Sequence, residues 1–247
     1  MKAGIAIGLL VAAVVAGAIW LMTPRARPAA PPRPPAVAWT GPVGSIEGEV
    51  DFAGSAPEPG RLHREADPFC ARTEMTDPEV LVSNGRLANV WLHVIGAPDA
   101  PPPDAPVTVD QRDCMFVPRV TTAVVGQAIV ARNSDPVLHN VHAYLDAATL
   151  FNRGLPNDQA PPVQVTAAEA GLVRWKCDVH PWMRGYVGVS RNGLQAVTGG
   201  DGAFRIANVP PGKYALEAWH ERLGTQSQPL AVEAGKSARL TFTFAAK

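Results

Sequence analysis

The sequence has no excess of charge of either sign, and charged residues are few. Lys and Arg total 22, Asp and Glu total 22, and these four types make up only 18% of the chain. A surface that binds nucleic acid needs clustered positive charge, so the composition argues against a nucleic-acid partner. The hydrophobic fraction of 47% supplies a core for one or two domains, which argues against disorder along the whole length.

Long amphipathic helices are also missing. The 25 prolines and 22 glycines make the chain too rich in turns to be mostly helical. Short runs of β-branched and aromatic residues, bounded by Gly, Pro, Asn or Asp, predict strands instead. The runs occupy residues 44–52, 88–95, 127–132, 172–177, 185–190, 213–219 and 238–244. The predicted fold is all-β, made of sandwiches or barrels, and one or two helical turns would fit near residues 62–75 and 146–153.

The N-terminal segment contains a long uncharged run, from Ala3 to Met22. As a helix it would cross about 30 Å of hydrocarbon, which predicts a signal peptide or a signal anchor at residues 1–22. A cleavage-like sequence at residues 16–18 (AGA) favours removal, whereas the apolar run through Met22 favours a retained anchor. Residues 23–43 are rich in proline and predict an extended linker.

The segment richest in metal-binding side chains is CDVHPWM at residues 177–183, with HN at residues 139–140 upstream. A thiolate, two imidazoles and a thioether form the ligand set of a type 1 copper site, because these donors suit both Cu(I) and Cu(II). Structural zinc normally recruits two or more cysteines at short spacings, and no second cysteine lies near Cys177. The motif therefore predicts copper.

In these motifs, residues 106–190 resemble the cupredoxin family of blue copper proteins. The resemblance implies a Greek-key sandwich and one type 1 copper ion. The ligands that it implies are His139, Cys177, His180 and Met183. Asn140 is expected to tie the two ligand loops together through its side-chain amide, and Met183 follows His180 more closely than in many blue copper loops.

Two neighbouring residues of the expected site have two interpretations. Pro181 and Trp182 form either a turn with a packed ring or a hydrophobic lid where a redox partner docks.

His142 is an alternative to His139 as the first metal ligand. If residues 139–145 form a strand, positions three apart point to opposite faces, so only one of these histidines can face the copper. The HN motif favours His139.

With Cys177 assigned to the metal, Cys70 and Cys114 remain as a pair. A disulfide between them would close a loop of about 45 residues and contribute roughly 4 kcal/mol, whereas the alternative is two unrelated buried thiols. A disulfide implies an oxidising compartment. Together with the apolar N-terminus, it predicts a periplasmic or other extracytoplasmic protein that residues 3–22 tether to the inner membrane.

A second resemblance lies in the run from Thr198 to Glu221, which contains DG, VPPG and alternating apolar residues. The run resembles the carboxypeptidase regulatory-like domain, a transthyretin-like β-sandwich. The predicted domains are therefore a cupredoxin-like domain at residues 44–190 and this smaller sandwich at residues 191–247. A strand like residues 44–54 usually opens the smaller domain, so these residues belong either to the first domain or to an interleaved second one.

These expectations favour a one-electron carrier that exchanges electrons with a cytochrome or another redox protein and contacts the membrane through its N-terminal helix. Copper delivery or storage, and a metal-free structural module, are the alternatives. An enzyme is not expected. Resemblance to multicopper enzymes would require H-x-H pairs, and the six histidines form none.

Overall fold

The computed structural model describes residues 36–246, and the regular structure in that range is almost entirely β. It comprises eighteen strands and one turn of 3-10 helix at Cys70–Arg72. The strands are β1 (Gly44–Ala53), β2 (Val82–Ser83), β3 (Arg86–Leu87), β4 (Trp91–Ile95), β5 (Val107–Arg112), β6 (Met115–Val117), β7 (Val120–Val124), β8 (Ala128–Asn133), β9 (His139–Leu145), β10 (Ala148–Leu155), β11 (Val163–Thr166), β12 (Gly171–Lys176), β13 (Arg184–Ser190), β14 (Gln195–Val197), β15 (Ala203–Val209), β16 (Gly212–His220), β17 (Gly224–Val232) and β18 (Ser237–Ala245). The all-β prediction is confirmed.

The predicted signal segment at residues 1–22 and most of the linker at residues 23–43 lie outside the described residues. Within the described range, residues 36–43 form no strand and most of them are exposed. No helix among residues 36–246 is long and apolar enough to cross a membrane.

The first sandwich, which we call the site sandwich, contains β5 to β13. One sheet has the order β10-β9-β12-β13-β7 and the other has the order β11-β8-β5-β6. The alternation of β12 shows how its sequence fits this fold, because Val173 and Trp175 are buried in the core while Arg174 and Lys176 are exposed. The core between the sheets surrounds Trp175, whose ring meets those of Phe116 and Phe151 edge-on.

The second sandwich, which we call the companion sandwich, contains β1 to β4 and β14 to β18. In one sheet β1 lies between β15, which is antiparallel, and β18, which is parallel. The other sheet has the order β14-β4-β16-β17. Alternate residues of β1 point into the core, where Val50 and Phe52 lie beside their register partners Phe242 and Phe244. The strand therefore buries its apolar face only within this sandwich.

The domain assignment of residues 44–190 to one cupredoxin-like unit differs from this arrangement. Strands β1 to β4 belong to the companion sandwich, so the site sandwich is inserted between β4 and β14. The interleaved alternative for residues 44–54 describes the observed pairing of β1, and the structure extends it to β4, which pairs with β14 and β16. The reason is that residues 191–247 contain too few strands to cover both faces of a core.

The segment expected to allow helix near residues 146–153 is instead strand β10, which pairs antiparallel with β9 along its length. Tertiary pairing thus overrides a weak local preference. The other such segment, residues 62–75, contains only the 3-10 turn. Part of it packs on the site sandwich, where Cys70 joins the core. We call residues 61–73 the covering segment.

The two sandwiches meet at a buried contact that includes an ion pair. Arg119, just before β7, forms two hydrogen bonds with the carboxylate of Glu221, just after β16, and the side chains are 7% and 2% exposed. The Tyr186 hydroxyl donates to the same carboxylate over 3.0 Å.

The sandwiches also pack closely where Trp91 meets Gly188. A methyl group added at Gly188 would be 2.2 Å from the indole ring. A larger residue at position 188 would therefore separate the sandwiches.

Candidate metal centre

The four residues expected to bind copper all lie at one end of the site sandwich. His139 begins β9, Cys177 follows β12 directly, and His180 and Met183 lie in the loop between β12 and β13. Strands β9 and β12 are antiparallel neighbours, with His142 opposite Lys176, so their ends bring the two ligand segments together. All four residues are buried, and none exceeds 2% exposure.

The donor atoms of three of these residues converge on one point. The Nδ1 atoms of His139 and His180 lie 2.9 Å apart, and the Sγ of Cys177 is 3.9 Å from Nδ1 of His180. One donor atom from each residue lies within 4.8 Å of the others. Metal bonds of about 2.0 to 2.3 Å to nitrogen and sulfur place ligand atoms at separations of this order.

A carboxylate lies against the other nitrogen of each imidazole. Nε2 of His139 is 2.9 Å from Oδ2 of Asp135, and Nε2 of His180 is 3.3 Å from Oδ2 of Asp67. A carboxylate accepts a hydrogen bond from Nε2–H, and a neutral ring with its proton on Nε2 has its lone pair on Nδ1. With both protons on Nε2, two lone pairs and a sulfur face one another and can hold a cation between them, whereas a proton on one Nδ1 would make the 2.9 Å contact an N–H···N hydrogen bond. The donor set therefore fits a soft metal such as copper.

Charge around Cys177 favours the thiolate that a metal requires. Burial raises the pKa of this thiol, but hydrogen bonds from His139 and His180 and from the backbone N–H of Asn140 lower it to about 6. Burial also lowers the pKa of His139, and hydrogen bonds to Asp135 and Cys177 outweigh that effect and raise it. The sulfur is thus ready to bind a cation at neutral pH.

Asn140 connects the two ligand segments, as the resemblance implies. Its Oδ1 accepts the backbone N–H of Asp178 over 2.6 Å, and its Nδ2 donates to Oδ2 of Asp178 over 3.0 Å and to Oδ1 of Asn152 over 2.7 Å. Its own backbone N–H points to Sγ of Cys177 over 3.5 Å. Asn140 therefore holds the segment that carries Cys177 through its side-chain amide and contacts the sulfur through its backbone N–H.

The ligand loop closes as a tight turn. The backbone N–H of Met183 donates to the carbonyl of His180 over 2.9 Å, and the N–H of Cys177 donates to the carbonyl of Met183 over 3.2 Å. Met183 lies in the core of the site sandwich with no exposed surface. Pro181 is exposed, whereas Trp182 is half-buried and its indole N–H donates to the carbonyl of Cys114 over 3.1 Å. Trp182 is therefore partly packed beside the site, with its ring centroid 5.0 Å from that of His180.

His142 lies apart from these donors. It points to the outer face of the sheet, where Nδ1 is 2.8 Å from Oδ2 of Asp178 and Nε2 is 3.1 Å from Oγ1 of Thr149. The alternation of β9 places His139 inside and His142 outside, as strand geometry requires for positions three apart.

The predicted disulfide between Cys70 and Cys114 is present, and Cys177 is the free cysteine of the described residues. The bridge lies beside the candidate site, which the sequence did not predict: Sγ of Cys70 is only 3.7 Å from Nε2 of His180. Asp67 and Asp135 were not predicted either. Each is followed by proline, in the sequences DPFC and SDPV, but Asp77 is also followed by proline, so the Asp-Pro pair does not single them out.

Comparisons with known proteins find two kinds of match. Residues 187–245 match the family model of the carboxypeptidase regulatory-like domain. Similar solved structures include a purple cupredoxin from Nitrosopumilus maritimus, with 23% identity over 34% of this chain and 99% of that chain and a TM-score of 0.31. A reduced amicyanin variant has 23% identity over 41% of this chain and 99% of that chain, with a TM-score of 0.32.

A copper-containing nitrite reductase from Thermus scotoductus SA-01 has 24% identity over 39% of this chain and 24% of that chain, with a TM-score of 0.31. No curated protein matches the chain in sequence. Both families that the sequence motifs resemble are thus among the matches.

Proposed function

We propose that the protein binds one type 1 copper ion through His139, Cys177 and His180, with Met183 as a weak fourth ligand, and that it carries single electrons. The observation that carries this proposal is the convergence of two imidazole Nδ1 atoms and one thiolate-prone sulfur in a buried site. Copper bound by such donors supplies a reversible Cu(I)/Cu(II) couple.

The residues around the donors favour electron transfer because they resist rearrangement. Asn140 holds the sulfur segment through its side-chain amide, and backbone hydrogen bonds close the loop from Cys177 to Met183. The carboxylates of Asp135 and Asp67 contact the Nε2 atoms of His139 and His180, respectively. A site whose ligands hardly move between oxidation states exchanges electrons with little reorganisation.

The same features argue against copper delivery or storage. A delivery site releases its metal to a partner and therefore presents exposed, exchangeable ligands. Here His139 and Cys177 are 0% and 1% exposed, and the covering segment packs over His180. From the Cys70–Cys114 disulfide we further propose that the protein works outside the cytoplasm with a separate redox protein, and that it is not an enzyme.

The proposal is tested by loading the purified protein with Cu(II) and recording its visible spectrum during a reductive titration. An intense thiolate-to-copper band that disappears with one electron per copper, and returns on oxidation, is the expected result. A colourless Cu(II) form, or a form reduced only after denaturation, would contradict an electron carrier.

A further inference from the structure

Asp135 contacts one imidazole and one cysteine of the disulfide at the same time. Its Oδ2 faces Nε2 of His139 at 2.9 Å and also accepts the backbone N–H of Cys114 over 2.8 Å. Its Oδ1 accepts the backbone N–H of Asp113 over 2.8 Å. The carboxylate is 3% exposed, so this set of partners replaces its solvent. His139 is thereby connected to the loop that carries Cys114.

Asp67 has the same relationship to the other imidazole and the other cysteine. Its Oδ2 faces Nε2 of His180 at 3.3 Å, while its Oδ1 accepts the backbone N–H groups of Phe69 over 2.8 Å and Cys70 over 3.2 Å. Its side chain is 22% exposed. His180 is thereby connected to the covering segment that carries Cys70.

Two further links join the loops of these carboxylates. The disulfide connects Cys70 to Cys114 directly. The guanidinium of Arg64, which is buried, donates to the carbonyl of Thr73 over 3.3 Å and to the carbonyl of Asp113 over 2.5 Å. Both carboxylates, both imidazoles and the disulfide therefore form one connected assembly on the side of the imidazoles opposite the converging Nδ1 atoms.

We propose that Asp67 and Asp135, held in register by the Cys70–Cys114 disulfide, are positioning residues that keep the proton of both imidazoles on Nε2 and aim both Nδ1 atoms at the metal. This inference rests on the proposed copper site, but it concerns the protein's own hydrogen bonds. It assigns the disulfide a role in the site beyond general stabilisation of the fold. Carboxylates behind metal-binding imidazoles fix tautomer and orientation, and their loss typically costs about 10–100-fold in metal affinity.

The most specific test is Asp67→Asn. The Asn Oδ1 can keep the backbone N–H groups of Phe69 and Cys70, which turns the amide NH₂ toward Nε2 of His180. An amide that donates to Nε2 moves the ring proton to Nδ1, where it blocks the metal. The matched control is Asp113→Asn, which removes an exposed carboxylate that pairs with Arg72 over 3.5 Å and does not touch an imidazole, at a positive φ that Asn tolerates.

The first readout needs no copper. In the metal-free protein at about pH 8, above the ordinary histidine pKa, the side-chain ¹⁵N shifts of His180 report its tautomer. We expect Nε2–H in the wild type and in Asp113→Asn, and a shift toward Nδ1–H in Asp67→Asn. Asp135→Asn is a less specific test of His139, because Oδ2 of Asp135 also accepts the N–H of Cys114 and an amide NH₂ cannot face His139 there without meeting that N–H.

The second readout is copper affinity, which should fall about 10–100-fold in Asp67→Asn and remain unchanged in Asp113→Asn. Replacing both Cys70 and Cys114 with Ala should perturb the tautomers of both histidines. If that variant does not fold, Asp67→Asn still tests the positioning role of the carboxylate.

An unchanged His180 tautomer together with unchanged copper affinity in Asp67→Asn would overturn the positioning role. A wild type that shows the expected tautomers but never forms a coloured copper complex would instead contradict the proposed function and leave the positioning role intact.

Discussion

The Nδ1 atoms of His139 and His180 lie 2.9 Å apart although 41 residues separate the two histidines along the chain. Neither strand β9 nor the loop after β12 brings them together alone. The antiparallel pairing of β9 with β12 aligns the ends of the two segments, and the side chain of Asn140 fastens one to the other. The 2.9 Å approach fits a cation shared by the two Nδ1 atoms or, without a cation, an N–H···N hydrogen bond with the proton on one ring. The sulfur of Cys177 beside the two nitrogens is what favours a metal.

Replacing Cys177 tests the source of the expected colour. We expect Cys177→Ser to abolish the visible charge-transfer band, because a hydroxyl oxygen is not a soft donor and does not transfer charge to Cu(II) as a thiolate does. The far-UV circular dichroism should stay that of a β protein. The measurement is the visible absorption of the copper-loaded variant beside the wild type, and a variant that retains the intense band would exclude Cys177 as a ligand.

The two histidines of β9 provide a matched pair. His139→Ala should remove one Nδ1 donor and change or abolish the copper spectrum, whereas His142→Ala should leave the spectrum as in the wild type, because His142 faces Asp178 and Thr149 on the outer side of the sheet. Copper titration followed by absorption distinguishes them. If His142→Ala has the larger effect, the strand register at the site is wrong.

The sequence predicted the donors of this site better than the residues behind them. The short spacing from Cys177 to Met183 is local, so their common loop could be predicted from the chain alone. Asp67 reaches His180 across a separation of 113 residues, through a covering segment with little regular structure. Such contacts depend on tertiary packing, and neither periodicity nor a motif encodes them.

In the fold, likewise, local sequence patterns predicted individual strands but not the strands with which they pair. Alternation in residues 44–52 predicted β1, and the observed strand is Gly44–Ala53. The predicted run at residues 88–95 likewise contains β4. The sheet in which β4 lies could not be predicted, because its partners β14 and β16 come after the whole site sandwich. An alternating pattern shows that one face of a strand is buried. It does not identify the strands that lie beside it or pack on that face.

Protonation of His220 should make stability depend on pH. Burial and the charge of Arg119 lower the pKa of His220 from 6.5 to about 4 in the folded protein, where the ring is fully buried. The unfolded chain therefore binds a proton first, and the free energy of unfolding should fall as pH decreases from about 6.5 to 4, by up to about 3 kcal/mol. Above pH 6.5 this contribution is constant.

The comparison uses His220→Asn, whose side-chain oxygen can replace Nδ1 as acceptor for the backbone N–H groups of Arg222 and Leu223. Urea unfolding of the metal-free proteins at several pH values gives the difference between wild type and variant. That difference should depend on pH between about 4 and 6.5. Parallel curves over this window would show that His220 does not titrate as described.

The ion pair between the sandwiches should be far more important for stability than a surface pair. Glu221→Gln leaves the buried guanidinium of Arg119 with only the carboxylate of Asp77, at 3.6 Å, and breaking a buried pair in this way costs up to about 3–5 kcal/mol. Glu47→Gln, which disturbs the surface pairs with Arg205 and Arg239, is the control and should have a much smaller effect. Equal midpoints of urea unfolding for the two variants would contradict the assigned importance of the buried pair.

Met183 tests the fourth position of the proposed copper site. A type 1 site binds copper mainly through two histidines and one cysteine, and the weak axial thioether tunes the reduction potential more than the affinity. Met183 and His180 belong to one turn, which is closed by a hydrogen bond from the Met183 N–H to the His180 carbonyl. The Met183 side chain is fully buried. Met183→Leu should cost less than about 1.5 kcal/mol in stability, because the two side chains have similar volumes.

The variant should keep its copper and its visible band and have a higher reduction potential than the wild type, because removal of a donor disfavours Cu(II) relative to Cu(I). His180→Ala should instead alter the spectrum outright, because it removes one of the three principal donors. Cyclic voltammetry and absorption of both variants provide the comparison. Should Met183→Leu leave both the potential and the spectrum unchanged, Met183 is a packing residue of the core, and the axial position is empty or filled by a backbone carbonyl near His139.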